Sequence, residues 1–397
     1  MRQVTRESPA NLKWIERQGL LAVKLAQIFA LRPDIISLEK CKQLQALYSS
    51  ASTIPTEDVF RILKEKAPDA YHDEISWFDV EPLAAASVGQ VHRARLKSGE
   101  EVVVKIIKGN HEKKFKRDVR RMSRWLKIAM LISPKLRKVG NPIALLEHVE
   151  DYTLRELDLR NEINGASRLS TIKEELSSDF PMPRLRFPKY YPDISNRYVL
   201  VSELVKGQTL EQGIESSSLE WDDLLELFRI HGAFMFGIGT FHGDLHPGNC
   251  ILDPNGNFVF IDNGAICEAP KKVSKSLFNF FYHLSADDKE LAFESLISLA
   301  ERRPRSDDVN KFKKDMHVIY KDFENLSVGQ QSLTEVMMRT VRSAVENAGA
   351  DYGEEGFPII RSLMYMDGLV IRTYPDVKLI SEMRSSLDEF KSGLDLE

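Results

Sequence analysis

Residues 242–264 read HGDLHPGNCILDPNGNFVFIDNG. Asp244 precedes Asn249 by five positions, and Asp262 follows Asn249 by thirteen, directly after the apolar run Phe258–Ile261. A carboxylate and an amide carbonyl are hard oxygen donors of the kind Mg²⁺ takes, between protein carboxylates and phosphates. Asp262 supplies the first and Asn249 the second. Asp244 is then placed near a terminal phosphate, where it can accept a proton or orient a nucleophile. His242 is suited to brace the loop by bonding to backbone. A Gly- and Pro-rich surface loop with solvated acids would account for HGD alone. It does not account for the acid, the amide, the apolar strand and Asp-x-Gly at these distances together.

That spacing is the one a kinase catalytic loop keeps to its metal-binding Asp. A second feature fits it. Lys105 closes the β-branched run Val102-Val103-Val104, and a lysine at the end of a buried strand needs an anion, because an unpaired buried charge is very costly. Taken alone, Lys105 is explained as an edge-strand lysine reaching water. Beside Asp244, Asn249 and Asp262, nucleotide phosphate and a helical Glu become the better account.

Working outward, the chain predicts strands first and helices afterwards, which suits an α+β, two-lobed protein. Apolar residues from Leu12 to Phe29 recur every third or fourth position and predict one amphipathic helix over 9–30, ended by Arg32-Pro33-Asp34. A second helix is expected over Ser37–Tyr48, and a third behind Thr56 as N-cap. In WFDVEPLAAASVGQVHRARLKSGEEVVVKII (77–107) two strands are expected, Val88–Leu96 and a buried Glu101–Ile107, joined by a turn at Lys97–Glu100. Helices follow over 108–138 and, as one stretch, 143–176. A Pro-rich loop (Pro181–Pro192) leads to a strand at Tyr198–Leu204. Beyond about 220 everything reads as helix except strands near Cys250–Leu252 and Phe258–Ile261. The segments are 1–75 (helical extension), 76–205 (N-lobe) and 206–397 (C-lobe).

Composition is compatible with this. With 397 residues, 43% hydrophobic, a large core is available. A net charge of −4 gives no global basic face and argues against nucleic acid as partner. The three cysteines (Cys41, Cys250, Cys267) form no CxxC pair, which fits a reducing compartment. MRQVTRESPANLKW lacks the apolar centre of a secretory signal, and no apolar run reaches the roughly 18 residues of a membrane span. The expected location is cytoplasmic or on the matrix side of an organelle, with peripheral membrane contact at most. The stretch 108–124 carries eight Lys/Arg against Glu112 and Asp118. A solvated helix face is the simpler account; contact with anionic lipid headgroups is the sharper one. His92 and His246 lack companions at metal-ligand spacing.

Several motifs together resemble the UbiB/AarF/ADCK family of atypical, protein-kinase-like proteins, over about residues 8–385. PLAAASVGQVHRA (Pro82–Ala94) looks like that family's alanine-rich loop, KLAQ (Lys24–Gln27) like its KxGQ motif, ELD (Glu156–Asp158) like its ExD motif, VSELVKGQTL (Val201–Leu210) like its hinge. The resemblance implies a kinase-like fold with an N-terminal helical extension and a mostly helical C-lobe. It implies ATP and Mg²⁺ as cofactors, with Asn249 and Asp262 on the metal. Ala84, Ala85, Ala86, Ser87, Val88, Lys105 and Glu203 would contact the nucleotide. Asp244, Lys105, Glu162, Lys24 and Glu156 would form the catalytic group, Lys105 pairing with Glu162 and Lys24 with Glu156, with Gln27 beside it. Asp158 and Glu162, four apart, are expected on one helical face and Glu156 on another, so that one helix answers two lysines. Unrelated surface charges remain the plain alternative for Lys24 and Glu156. The function implied is an Mg-ATP-dependent ATPase or kinase supporting isoprenoid-quinone lipid biosynthesis, with a quinone-precursor lipid and quinone-biosynthesis proteins as partners. A small-molecule phosphotransferase of the aminoglycoside or choline kinase type, or a nucleotide-binding pseudokinase scaffold, are the rivals. The pattern breaks twice: Ala26 stands where the family has Gly, and Asn263 where most relatives have Phe, whose interior place Asn can fill only with hydrogen-bond partners.

Overall fold

A computed structural model describes residues 10–30, 36–45, 47, 53–85, 88–109, 111–132, 142–302, 304–350, 352, 356–394 and 396. The chain divides into two compact units, Met1–Leu159 with Tyr191–Ser202, and Arg160–Tyr190 with Glu203–Glu397. The expected segments 1–75, 76–205 and 206–397 are distributed over these differently. The early helices share a unit with the first strands, and residues 160–190 go with the C-terminal helices.

In the first unit, β1 (Ile75–Ala85), β2 (Gly89–Leu96) and β3 (Glu101–Ile107) form an antiparallel meander, and β5 (Val199–Glu203) lies beside β3. The turn at 97–100 is where it was expected, with Gly99 at φ +91°. Along β3, Val102, Val104 and Ile106 are buried with Val199, Val201 and Tyr71, so Lys105 falls on the alternate face. β1 was not expected. Its register slips near Trp77, Pro82 and Ala84, which removes the period of two that betrays a strand. The alanine-rich stretch is therefore not a loop throughout: Pro82–Ala85 ends β1 and Gly89–Ala94 belongs to β2.

The helix expected over 9–30 is two, Leu12–Gln18 and Leu20–Phe29. They break at Gly19, whose φ of +99° lies in the region that favours glycine. Leu38–Gln45 follows, then Thr56–Lys66, where Pro55 and not Thr56 is the capping residue. Leu21, Phe115, Val119, Leu146 and Val149 form one core joining the helix Leu20–Phe29 to His111–Ile132 and Pro142–Glu156. Ala26 is buried with Ala30, Leu44 and Leu47, so its methyl is part of a packed contact.

The single helix expected over 143–176 is also two, Pro142–Glu156 and Arg160–Glu175, with Leu157–Leu159 between them. ELD thus straddles a helix end. Asp158 is not helical, and its expected shared face with Glu162 does not exist.

In the second unit, β4 (Leu185–Arg186), β9 (Phe258–Phe260), β8 (Cys250–Leu252) and β6 (Gln208–Thr209) form a small sheet in that order. β7 (Thr240–His242) pairs antiparallel with β10 (Ile266–Glu268), so both ends of the 242–264 segment are anchored in one ladder. Helices Trp221–Gly232, Lys271–Ser285, Leu333–Ala348 and Gly356–Thr373 surround a core rich in phenylalanine, among them Phe234, Phe236, Phe278 and Phe281. Asp367, buried on Gly356–Thr373, accepts the N–H groups of Leu333 and Thr334 at 3.0 and 2.9 Å and so caps Leu333–Ala348. Among the described residues, no helix is long and apolar enough to cross a membrane.

Burial pushes His231 down to about 3, with the charge of His242 adding to the effect. Its Nε2 meets Ser362 Oγ at 2.5 Å, and among the described residues its Nδ1 has no partner to stabilise a second proton. In the unfolded chain the ring protonates near 6.5. The unfolded state therefore binds the extra proton from about 6.5 down to about 3. Stability is complete above that window and falls within it, by up to about 1.4 kcal/mol per pH unit. The urea midpoint should drop between pH 7.5 and 5.5, and His231→Gln should flatten that dependence.

Candidate active site

The second unit joins Asp244 and Asp262 through one histidine. His242 Nε2 donates to the Asp262 carbonyl, and His242 Nδ1 accepts from the Asp244 N–H at 3.2 Å. Each ring nitrogen thus has a fixed role, and only the neutral imidazole satisfies both. Burial holds His242 below the usual imidazole range against the pull of Asp244 and Asp262. The brace expected of His242 is therefore present, and it joins the two motif carboxylates through their backbone.

Asn249 completes the arrangement. Its Nδ2 donates to the Asp244 carbonyl at 3.0 Å, its N–H to His246 O at 2.7 Å, and its carbonyl accepts from Ile261 at 3.0 Å. The amide nitrogen being engaged, the amide oxygen is the group left to a cation. Gly264 sets the far side: a Cβ there would lie 3.4 Å from Glu162 Cγ and 3.8 Å from Asp262 Oδ1. Glu162, buried in the first turn of Arg160–Glu175, is thus beside the Asp262 loop. Gly165 on the same helix allows this, its Cα facing the Asn263 carbonyl at a distance that leaves no room for a methyl. Carboxylate and amide oxygens are the donor set Mg²⁺ takes, so the residues present fit that ion.

Asn263 is fully buried, and its amide nitrogen finds two partners while, among the described residues, its amide oxygen finds none. Its Nδ2 donates to Phe260 O at 2.6 Å and to Tyr190 Oη at 3.1 Å. Glu203 does not stand open to a ligand. Burial opposes its ionisation, but Arg186 at 2.9 Å and the Lys189 N–H at 3.1 Å outweigh that and hold the carboxyl low. The side chain is occupied, and the backbone of this segment is what remains for a nucleotide.

In the first unit, Lys105 lies opposite Val91, its stem passing Gly89, where a Cβ would be 3.5 Å from Lys105 Cε. Ala84 and Ala85 pair with Val91 and Gln90, and the Val88 carbonyl accepts from Lys108 N–H at 2.9 Å. Ala86 and Ser87 lie outside the described residues. His92 is a core residue, its Nδ1 on Asp79 O at 2.9 Å and its ring stacked on Phe78. Lys24 and Glu156 form an ion pair, with side chains only 6% and 18% exposed, and Tyr152 lies 5.4 Å from the Lys24 amine. Gln27, on the same helix, donates to Leu47 O at 2.9 Å. Removing one partner of so buried a pair leaves the other charge stranded, so Lys24→Ala should cost about 3 kcal/mol. Lys24→Met with Glu156→Gln together should recover most of it in urea unfolding.

Residues 46–296 match the family model of the ABC1 atypical kinase-like domain, well over half of the chain. The chain belongs to this family. Its relatives include an uncharacterized, chloroplastic aarF domain-containing protein kinase of Arabidopsis thaliana, 24% identical, covering 96% of this chain and 74% of that protein. A protein named "Probable protein kinase UbiB" from Vibrio atlanticus is 25% identical, covering 94% of this chain and 69% of its own length. Among solved structures, Rv3197 of Mycobacterium tuberculosis in complex with erythromycin matches with a TM-score of 0.57 at 20% identity, over 92% of this chain and 95% of that one. The fold is thus the α+β, kinase-like fold of the ABC1 family, as the motifs implied.

Sequence reasoning missed three residues of the site. Arg361 donates from Nε to Gly243 O at 2.7 Å, Tyr365 donates to Asp244 Oδ1 at 2.8 Å, and Gly165 faces Asn263. The first two sit over a hundred positions from the loop they touch, outside any local motif. Gly165 interrupts a helical pattern, which is a signal of close backbone approach.

Proposed function

We propose that this ABC1-family chain is an Mg-ATP-dependent ATPase or kinase. The observation that carries the reading is the His242 brace, which with Asn249 holds Asp244, Asn249 and Asp262 as one rigid set. Magnesium would be held by Asp262 and the Asn249 amide oxygen, and would supply neutralisation of phosphate charge. Asp244 takes the proton of the attacking hydroxyl or water as its oxygen bonds to the γ-phosphorus and ADP leaves with the electrons of the broken bond. By the family resemblance, Lys105 would contact the α- and β-phosphates. The His242 contact to the Asp262 carbonyl, kept although Asn263 stands next to it, weighs against a pseudokinase. The Lys24–Glu156 pair weighs against a soluble-alcohol phosphotransferase, which lacks both motifs.

The acceptor side of the proposal is an isoprenoid or quinone-precursor lipid met at a membrane surface, on the cytoplasmic or organelle-matrix side, with other quinone-biosynthesis proteins. The family resemblance supports it, and so does the helix His111–Ile132. Trp125, Ile128 and Met122 are 62%, 48% and 39% exposed there, beside Arg121, Arg124 and Lys127. Exposed apolar side chains among basic ones suit an anionic interface. Co-sedimentation with vesicles containing anionic phospholipid should fall at least tenfold in Trp125→Asp/Ile128→Asp and persist with neutral vesicles in neither protein. Equal binding by the double variant would remove this face from the account. Phosphate release from Mg-ATP, with and without such vesicles, tests the enzyme reading itself.

A further inference from the structure

Asp244 is held in place without its carboxylate. Its N–H goes to His242, and its carbonyl accepts from Asn249 Nδ2 at 3.0 Å and from the His246 N–H at 2.7 Å. The preceding carbonyl, Gly243 O, accepts from Arg361, and the Gly243 N–H donates to Ala265 O at 2.7 Å. Among the described residues, one hydrogen bond alone reaches the side chain: Tyr365 Oη donates to Asp244 Oδ1 at 2.8 Å. Tyr365 is half-buried on Gly356–Thr373, its ring edge-on to His246 with centroids 5.4 Å apart. The helix that carries it is tied down near the loop by Arg361, one turn earlier, and by the His231–Ser362 contact. The hydroxyl is therefore delivered to the carboxylate by a fixed element.

A hydroxyl donating into the carboxylate of a general base makes the contact that an acceptor alcohol or water must make before transfer. We infer that Tyr365 occupies the acceptor position at Asp244 and restrains transfer to any acceptor from outside until its hydroxyl is displaced. This rests on the role proposed for Asp244. The bond is charge-assisted, of a strength that an incoming hydroxyl must match to replace it. Tyr365 is thus a specificity-determining residue. An acceptor able to bond Asp244 and displace a phenol passes, whereas water, which gains nothing else from the site, is held back. The chain would then hydrolyse ATP slowly when alone, by its own construction.

Tyr365→Phe keeps the ring against His246 and removes only the hydroxyl. In the full-length variant, phosphate release at saturating Mg-ATP should rise about tenfold, with the KM for ATP unchanged and the Tm lowered by roughly 3–6 °C, the stability share of the lost bond. A positioning role would instead lower the rate, and an incidental contact would leave it as it is; either result, with ATP still bound, overturns the gate and leaves the enzyme reading standing. ATP binding is followed separately, as the Mg-dependent rise in Tm of the unaltered protein. If that rise is absent, the enzyme reading fails and the gate fails with it.

Discussion

Replacing Asp262 by Asn should lower phosphate release from Mg-ATP by about 10³-fold or more, equivalent to about 4 kcal/mol of transition-state stabilisation. The variant removes one negative charge and almost no volume. The His242 contact is to the Asp262 main-chain carbonyl, so the brace survives the change. The amide has the size of the carboxyl it replaces, and Gly264 beside it carries no side chain, its nearest added Cβ standing 3.8 Å from Asp262 Oδ1. What would be lost, on the proposed reading, is the one anionic ligand in the pair Asp262 and Asn249, and with it the charge that would hold a divalent ion against phosphate. The unfolding midpoint without nucleotide should stay within about 1 kcal/mol of the parent, while the Mg-dependent ATP shift disappears. Retained turnover in Asp262→Asn would place the metal elsewhere.

Gly165→Ala is the second large effect, and it acts on folding as well as on the site. A Cβ at Gly165 would stand 1.9 Å from the Asn263 carbonyl oxygen and 2.8 Å from Ile266 Cγ1. The first of these is backbone, which has no rotamer with which to withdraw. Either Arg160–Glu175 moves off the loop or the loop moves, and Asp262 and Glu162 move with them. The cost is on the order of 3 kcal/mol, at the upper end of overpacking, which lowers Tm by roughly 6–10 °C in a unit of this size. Gly368→Ala is the control. It lies within Gly356–Thr373, and a Cβ there meets nothing within 4 Å, so the alanine should be neutral or stabilise by about 0.5–1 kcal/mol. Equal melting of the two variants would mean that helix and loop do not touch as described.

The parts of this molecule that the sequence makes legible are those where chemistry fixes the spacing. Asp244, Asn249 and Asp262 stand out because their types and spacing are those that a metal and a phosphate would demand along a short strand–loop segment. β2 and β3 stand out through their turn and their β-branched residues. Lys24 and Glu156 are 132 positions apart, and nothing in periodicity or charge joins them; only the motif resemblance did. The helix breaks were lost for a different reason. Hydrophobic periodicity continues across Gly19 and across Leu157–Leu159, so a pattern read at 3.6 residues per turn runs straight through a change of direction. With that break, the shared face assigned to Asp158 and Glu162 disappears. β1 was hidden by its register slips and Pro82. Tyr365 was hidden by distance: the hydroxyl on Asp244 comes from a helix 121 positions later.

The measurement that bears most directly on the central claim is the initial rate of phosphate release from ATP by the purified chain, with Mg²⁺ and with EDTA, beside Asp262→Asn. The account predicts slow release that needs Mg²⁺, rises when anionic vesicles carrying a phenolic lipid analogue are added, and vanishes in the variant. Release that is absent under every condition while ATP still raises the Tm, or release that Asp262→Asn leaves intact, would contradict it.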